Sequence, residues 1–86
     1  MAKVEIYTTT MCPYCTRALS LLQAKNVIFE QIDITTSSDL RRAMRCRSGG
    51  RTSVPQIFIN NKHIGGCSDL ITLELAGHLE TLLEKG

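Results

Sequence analysis

The 86-residue chain lacks most of what would mark a large or specialised protein. Lysine and arginine outnumber the acids by only 10 to 8, a surplus too small to argue for nucleic acid. No apolar run approaches the ~20 residues that a membrane span requires, so no membrane partner is expected. There are no repeats, no low-complexity runs and no linker. The length allows one small domain, residues 1–86, with a single modest core. The start, Met1-Ala2-Lys3-Val4, enters a strand at once and reads as carrying no signal peptide. Metal ligands are sparse too. A four-thiolate zinc site usually needs two CxxC pairs, and here there is one, Cys12 to Cys15. Cys46 and Cys67 stand alone, and His63 and His78 are not at ligand spacing. No metal is expected.

What the chain does have is that CxxC, set between a strand-like run, Val4 to Thr8, and a helix-like run, Arg17 to Lys25. A CxxC at a strand–helix junction reads as a thiol–disulfide redox site. The first N–H groups of a helix lack intrahelical partners and the helix dipole is positive there, an environment that favours a thiolate over a thiol. Pro13 suits the first helical turn, where its missing N–H costs nothing. This spacing puts Cys12 at the tip and Cys15 one turn in. Cysteines without a secretory signal suggest a reducing compartment, hence the cytoplasm.

The rest of the chain supplies a frame for this site. Val4 to Thr8 is nearly all β-former and fits a buried strand. Ala18, Leu19, Leu21 and Leu22 give the first helix its apolar face, and Lys25-Asn26 suits its end. Val27 to Ile34 reads as a second strand with Ile28, Ile32 and Ile34 on one face. Ser37 or Ser38 starts a second helix with Leu40, Ala43 and Met44 inward. After the break at Ser48-Gly49-Gly50, Val54-Pro55 opens a third strand, Gln56 to Ile59. Asn60-Asn61 is a hairpin turn leading to a short strand, Lys62 to Ile64. Ser68 or Asp69 caps a last helical region with Leu70, Leu73, Leu75, Leu79, Leu82 and Leu83 available to the core, and Gly77 kinks or divides it. The order is β-α-β-α-β-β-α, an α/β fold with the first two strands parallel and the last two antiparallel.

This order, together with Cys12-Pro13-Tyr14-Cys15, Ser53-Val54-Pro55 and Gly65-Gly66-Cys67-Ser68-Asp69 in register, resembles the thioredoxin fold and, more narrowly, the dithiol glutaredoxin family. The absence of tryptophan and the Pro-Tyr between the cysteines set the chain apart from thioredoxins. Two departures stand out. Ser53 occupies a place that is usually threonine, and Tyr7 to Met11 holds no lysine, where many members have one for glutathione.

The resemblance implies a mixed four-stranded sheet flanked by helices, and a monomeric oxidoreductase that takes glutathione as co-substrate and holds no tightly bound cofactor. It implies Cys12 as nucleophile and Cys15 as resolving thiol, with glutathionylated or disulfide-containing proteins as partners. Pro55 matches the family's cis-proline, beside which Val54 offers its backbone to an extended peptide. From the residues alone, Gly66, Cys67, Ser68 and Asp69 read equally as a turn with a helix cap or as a carboxylate pocket. The resemblance favours the γ-glutamyl end of glutathione there. Tyr14 is expected to touch the substrate. Of the arginines at 41, 42, 45, 47 and 51, Arg51 is the first choice to hold the glycyl carboxylate and Arg42 the next, the others forming a solvated face. Two further activities remain open on the same motifs: an iron–sulfur cluster carrier, and a dedicated reductant of one enzyme such as ribonucleotide reductase. Cys46 and Cys67 read as spectators, and His63 and His78 as surface residues.

Overall fold

Every residue of the first strand is buried, and that decides how the molecule is layered. The computed structural model describes residues 2–84. Strand β1 (Val4–Thr8) lies between two neighbours, parallel to β2 (Phe29–Asp33) and antiparallel to β3 (Gln56–Ile59), which pairs in turn with β4 (Lys62–Gly65). The sheet order is β2-β1-β3-β4, and the thioredoxin-type layering expected from the sequence is present. Asn60 and Asn61 turn the β3–β4 hairpin with φ of 52° and 66°, the left-handed pair that a two-residue turn requires.

Alternation along the strands sends side chains to two different covers. Val4, Ile6, Ile57 and Ile59 meet Ala18 and Leu22 of α1 (Pro13–Ala24), Leu70 of α3 (Cys67–Leu75), and Leu79 and Leu83 of α4 (Leu79–Glu84). Tyr7 and Phe58 point the other way, against Ile34 and against Met44 of α2 (Ser38–Arg47). Ser37 caps α2 by accepting the Leu40 N–H at 3.1 Å. Lys25, at the C-cap of α1, joins three helices through Glu74 at 2.7 Å and Glu80 at 3.2 Å.

Helix α1 begins at Pro13, the first-turn place expected for that proline, with Cys12 as its cap. Three details depart from the sequence reading. Ile28 is 75% exposed, because pairing with β1 starts only at Val4–Phe29, and Phe29 takes the inward place instead. Leu40 is exposed while Met44 carries the burial of α2. Gly77 divides the last helical region into two helices at φ +76°, one of the two roles expected of it, but Leu75, expected to be available to the core, is 83% exposed just before the break.

Candidate active site

Cys12 is the residue at which the site begins. Its backbone is extended (φ −109°, ψ 107°), and its sulfur accepts the Cys15 N–H at 3.2 Å, so the thiol itself is the helix cap. An N–H at a helix start, aimed at the sulfur, is the partner an anionic sulfur needs. Thr16 closes the first turn, its N–H donating to the Cys12 carbonyl at 3.0 Å. The loop before Cys12 is tied to the end of β2. The Thr10 N–H donates to Thr35 Oγ1 at 2.9 Å, and the Thr35 N–H donates to Asp33 at 2.8 Å. The Thr35 hydroxyl donates to the same carboxylate, and this bond, ahead of the backbone one and against slight burial, holds the Asp33 carboxyl below its ordinary range.

The two thiols of the motif are free but unequal. Cys12 is half-buried and Cys15 is 2% exposed. Burial, reinforced by the hydrogen bond to Cys12 and opposed by a backbone bond from Thr9, pushes the Cys15 thiol up to about 12. A thiol raised that far stays protonated at neutral pH.

The Cys12 sulfur lies 4.0 Å from the Val54 carbonyl, and the Val54–Pro55 bond is cis. Beyond Val54 opens a groove of about 390 Å³. Its wall on α1 is Tyr14, 61% exposed, and its loop wall is Arg51, Ser53, Val54 and Pro55. Gly66, Cys67, Ser68 and Asp69, at the start of α3, close the third side. Apart from Arg42, the second choice for the glycyl carboxylate, the binding residues expected from the sequence line one groove. Gly66, not Ser68 or Asp69, is the N-cap. Asp69 sits three residues on and accepts the Gly66 N–H at 2.9 Å. Gly65 is required here, since its φ is +123° and a Cβ would collide with the Asp69 carboxylate.

The arginines divide as the sequence did not. Arg51 stands at the groove, 3.6 Å from Asp69. Arg42 is on the outer face of α2, paired at 3.9 Å with Asp39, and lines no part of the groove. Arg47, expected on a solvated face, is instead a clamp on the sheet, donating to Glu5 at 2.9 Å and to the Tyr7 hydroxyl at 2.9 Å. Two groove residues went unread, Arg17 and Ile71. Arg17 lies 5.9 Å from the Tyr14 ring centre, and its position three residues after Tyr14 on one helix face was the available signal. His63 is half-buried rather than on the surface. Cys46 is exposed and far in sequence from the other thiols, and Cys67 is 5% exposed at the groove floor. Among the described residues, no group of three or more His, Cys, Asp or Glu is placed to hold a metal ion, and no helix is long and apolar enough to cross a membrane.

Comparison with known proteins agrees with this geometry. The glutaredoxin family model matches residues 4–64. Glutaredoxin 3 of Escherichia coli K12 is 52% identical over 84 residues, covering 98% of this chain and 100% of that protein. Among solved structures, glutaredoxin from Brucella melitensis superposes with a TM-score of 0.87 at 49% identity, covering 100% of this chain and 92% of that one. A buckwheat glutaredoxin–glutathione complex superposes with a TM-score of 0.86 at 28% identity, covering 95% of this chain and 76% of that one. With a CxxC capping its first helix and a groove beside it, the chain belongs to the glutaredoxin family of thiol–disulfide oxidoreductases.

Proposed function

We propose that this oxidoreductase is glutathione-dependent, with Cys12 as nucleophile and the groove as the seat of the glutathione moiety. The observation that carries the reading is the groove itself, which opens beside the Val54 carbonyl, 4.0 Å from the Cys12 sulfur, and sets a cation, a peptide backbone and a helix start around one slot. Glutathione has a carboxylate at each end and an amine at one. Arg51 suits one carboxylate. The free N–H groups at the start of α3 suit the other, and Asp69 suits the amine. Between them, the Val54 backbone pairs with the cysteinyl residue, which brings its sulfur to Cys12. The buckwheat relative, whose complex holds glutathione, supports this assignment.

The chemistry runs in two exchanges. The Cys12 thiolate attacks the glutathione sulfur of a mixed disulfide, and the substrate protein leaves as its thiolate, which takes up a proton. A second glutathione thiolate attacks the glutathione sulfur bound to Cys12. Glutathione disulfide departs, and the Cys12 thiolate is restored. For a protein disulfide, Cys12 attacks one sulfur and Cys15 then attacks Cys12, so the dithiol gives up two electrons and ends as a Cys12–Cys15 disulfide. Burial is the first cause that keeps Cys15 protonated, and two further causes come from the Cys12 sulfur, its hydrogen bond and, as a thiolate, its charge. Both disappear once Cys12 is in a mixed disulfide, so Cys15 becomes easier to deprotonate when it is needed. The reading carries with it a monomer working in a reducing compartment such as the cytoplasm, on glutathionylated or disulfide-bonded proteins.

The test is reduction of a small glutathione mixed disulfide coupled to glutathione reductase and NADPH. Cys12→Ser should show no turnover above background, and Cys15→Ser should keep at least half. A wild type that ignores glutathione yet accepts electrons from thioredoxin reductase would overturn the proposal.

A further inference from the structure

Behind the groove runs a chain of side-chain hydrogen bonds that ends at neither cysteine. Gln56, the first residue of β3, is fully buried. Its amide nitrogen donates to the Ser53 carbonyl at 3.0 Å and to the Ser53 hydroxyl oxygen at 3.3 Å. Its amide oxygen meets His63 Nε2 at 2.7 Å, across the hairpin on β4. The polarity of this chain is fixed by chemistry. A carbonyl only accepts, so the amide nitrogen must face Ser53 and the amide oxygen must face His63. His63 Nε2 must then carry a proton, which it does as the Nε2–H tautomer and as the imidazolium alike. At the other end, the Ser53 hydroxyl oxygen already accepts from Gln56, which leaves its own proton to donate elsewhere. Ser53 is exposed on the groove wall.

We infer that Gln56 and His63 are positioning residues for the groove: the His63–Gln56–Ser53 chain fixes the Ser53 carbonyl and hydroxyl so that the hydroxyl proton is presented to an acceptor oxygen of the bound ligand. The burial of Gln56 is what makes the chain directive. A buried amide that turned over would set its oxygen against the Ser53 carbonyl and leave two acceptors facing each other in a dry site, which costs more than the bond it replaces. The His63 end is held as well. Its ring packs 5.1 Å from the Phe58 ring centre, and burial together with the charge of Arg51 holds the imidazole below its usual value, with Asp69 opposing. Neither Gln56 nor His63 lines the groove, so both act through Ser53.

This inference rests on the glutathione reading, and one assay separates the two. Wild type, Gln56→Leu, His63→Leu and His63→Gln are compared for KM and kcat with the glutathione mixed disulfide, and for the rate at which iodoacetamide alkylates Cys12. Loss of one directed bond to the ligand should raise KM about fivefold in Gln56→Leu. His63→Leu should raise it about threefold, since it loosens the amide without removing it. His63→Gln, whose amide can also donate to Gln56, should return KM to near wild type. In all three, kcat and the alkylation rate should stay within about twofold, because the sulfur and its cap are untouched. An unchanged KM in both leucine variants, with the wild type active, would overturn the inference and leave the glutathione reading standing. So would a fall in alkylation rate that tracks the rise in KM, which would mark general loosening of the fold. His63, half-buried near the sheet edge, keeps the test open if Gln56→Leu does not fold. A wild type without glutathione turnover would overturn both readings together.

Discussion

The two faces of the sheet solve the same problem by opposite means. The face under α1, α3 and α4 is dry. Val4, Ile6, Ala18, Leu22, Ile57, Ile59, Leu70 and Leu79 meet there with almost no exposed surface. The face under α2 sets polar and aromatic groups beside the apolar side chains of Ile34 and Met44. Glu5, Tyr7, Gln56 and Phe58 point to it, and Arg47 and His63 answer them. Arg47 Cζ lies 4.1 Å from the Phe58 ring centre while its nitrogens reach Glu5 and Tyr7, and the Tyr7 ring meets Phe58 edge-on at 5.7 Å. Apolar contact is strong but has no direction. Directed bonds add less stability but fix orientation. The polar face is the one that flanks the loop from Ser48 to Pro55, where Arg51, Ser53 and Val54 must be held. Ser48, buried at the end of α2, reaches the Arg51 carbonyl from its hydroxyl at 3.2 Å.

This contrast breaks first on the dry face. Leu22, fully buried in α1, should cost about 3–4 kcal/mol when replaced by alanine, from lost transfer energy and the cavity left behind. Urea unfolding of the reduced protein measures it. In a chain this small that is a large share of the total stability, and a cost below about 1 kcal/mol would mean that the dry face is not what holds the molecule together.

The next largest effect belongs to the polar face and depends on pH. Arg47→Met leaves the Glu5 carboxylate, whose side chain is 9% exposed, buried without its partner, at a cost of about 3 kcal/mol at neutral pH. Hydrogen bonding to Arg47, ahead of its charge and against burial, holds the Glu5 carboxyl below its ordinary value of 4.5. A lowered folded value contributes stability that is complete above 4.5 and is lost as pH falls through the folded value. The gap between wild type and Arg47→Met in urea should therefore narrow in acid. A gap that stays constant from neutral pH into acid would show that the Arg47 side chain contributes by packing on Phe58 rather than by charge.

The same contrast explains which parts of the molecule were legible in its sequence. The dry face announces itself through period and composition, so β1, α1, β3 and the parallel β1–β2 crossover could be read from residue types alone. The groove was legible because its parts lie in three short motifs whose glycines, proline and cysteines have few other uses. The polar face was not. Arg47 reads as one more cation in an arginine-rich segment, and only the pairing of a distant strand with its helix reveals that Glu5 and Tyr7 need a donor. Gln56 and His63 lie seven residues apart, and the hairpin between them brings their side chains together. Ile28 failed for a related reason. Where β2 begins is set by its partner, through the Val4–Phe29 register, and not by its own β-propensity.

Leu75 sharpens the comparison from the other side, since it belongs to the dry face by composition and to neither face by position. It follows Leu70 and Leu73 in one helix, yet Leu70 is fully buried and Leu75 is 83% exposed. The cause is the chain reversal after it. The His78 N–H donates to the Leu73 carbonyl at 3.0 Å and Gly77 takes φ +76°, so the chain turns toward α4 and Leu79, not Leu75, returns to the core. A leucine this exposed has little to lose. Leu75→Gln should change stability by less than about 0.5 kcal/mol in urea, against about 3 kcal/mol for Leu70→Ala five residues earlier. A cost for Leu75→Gln close to that of Leu70→Ala would mean that this end of α3 is covered in solution. Dependence of that cost on protein concentration would then assign the cover to a second copy of the chain, and independence would assign it to α4 folding back over the helix end.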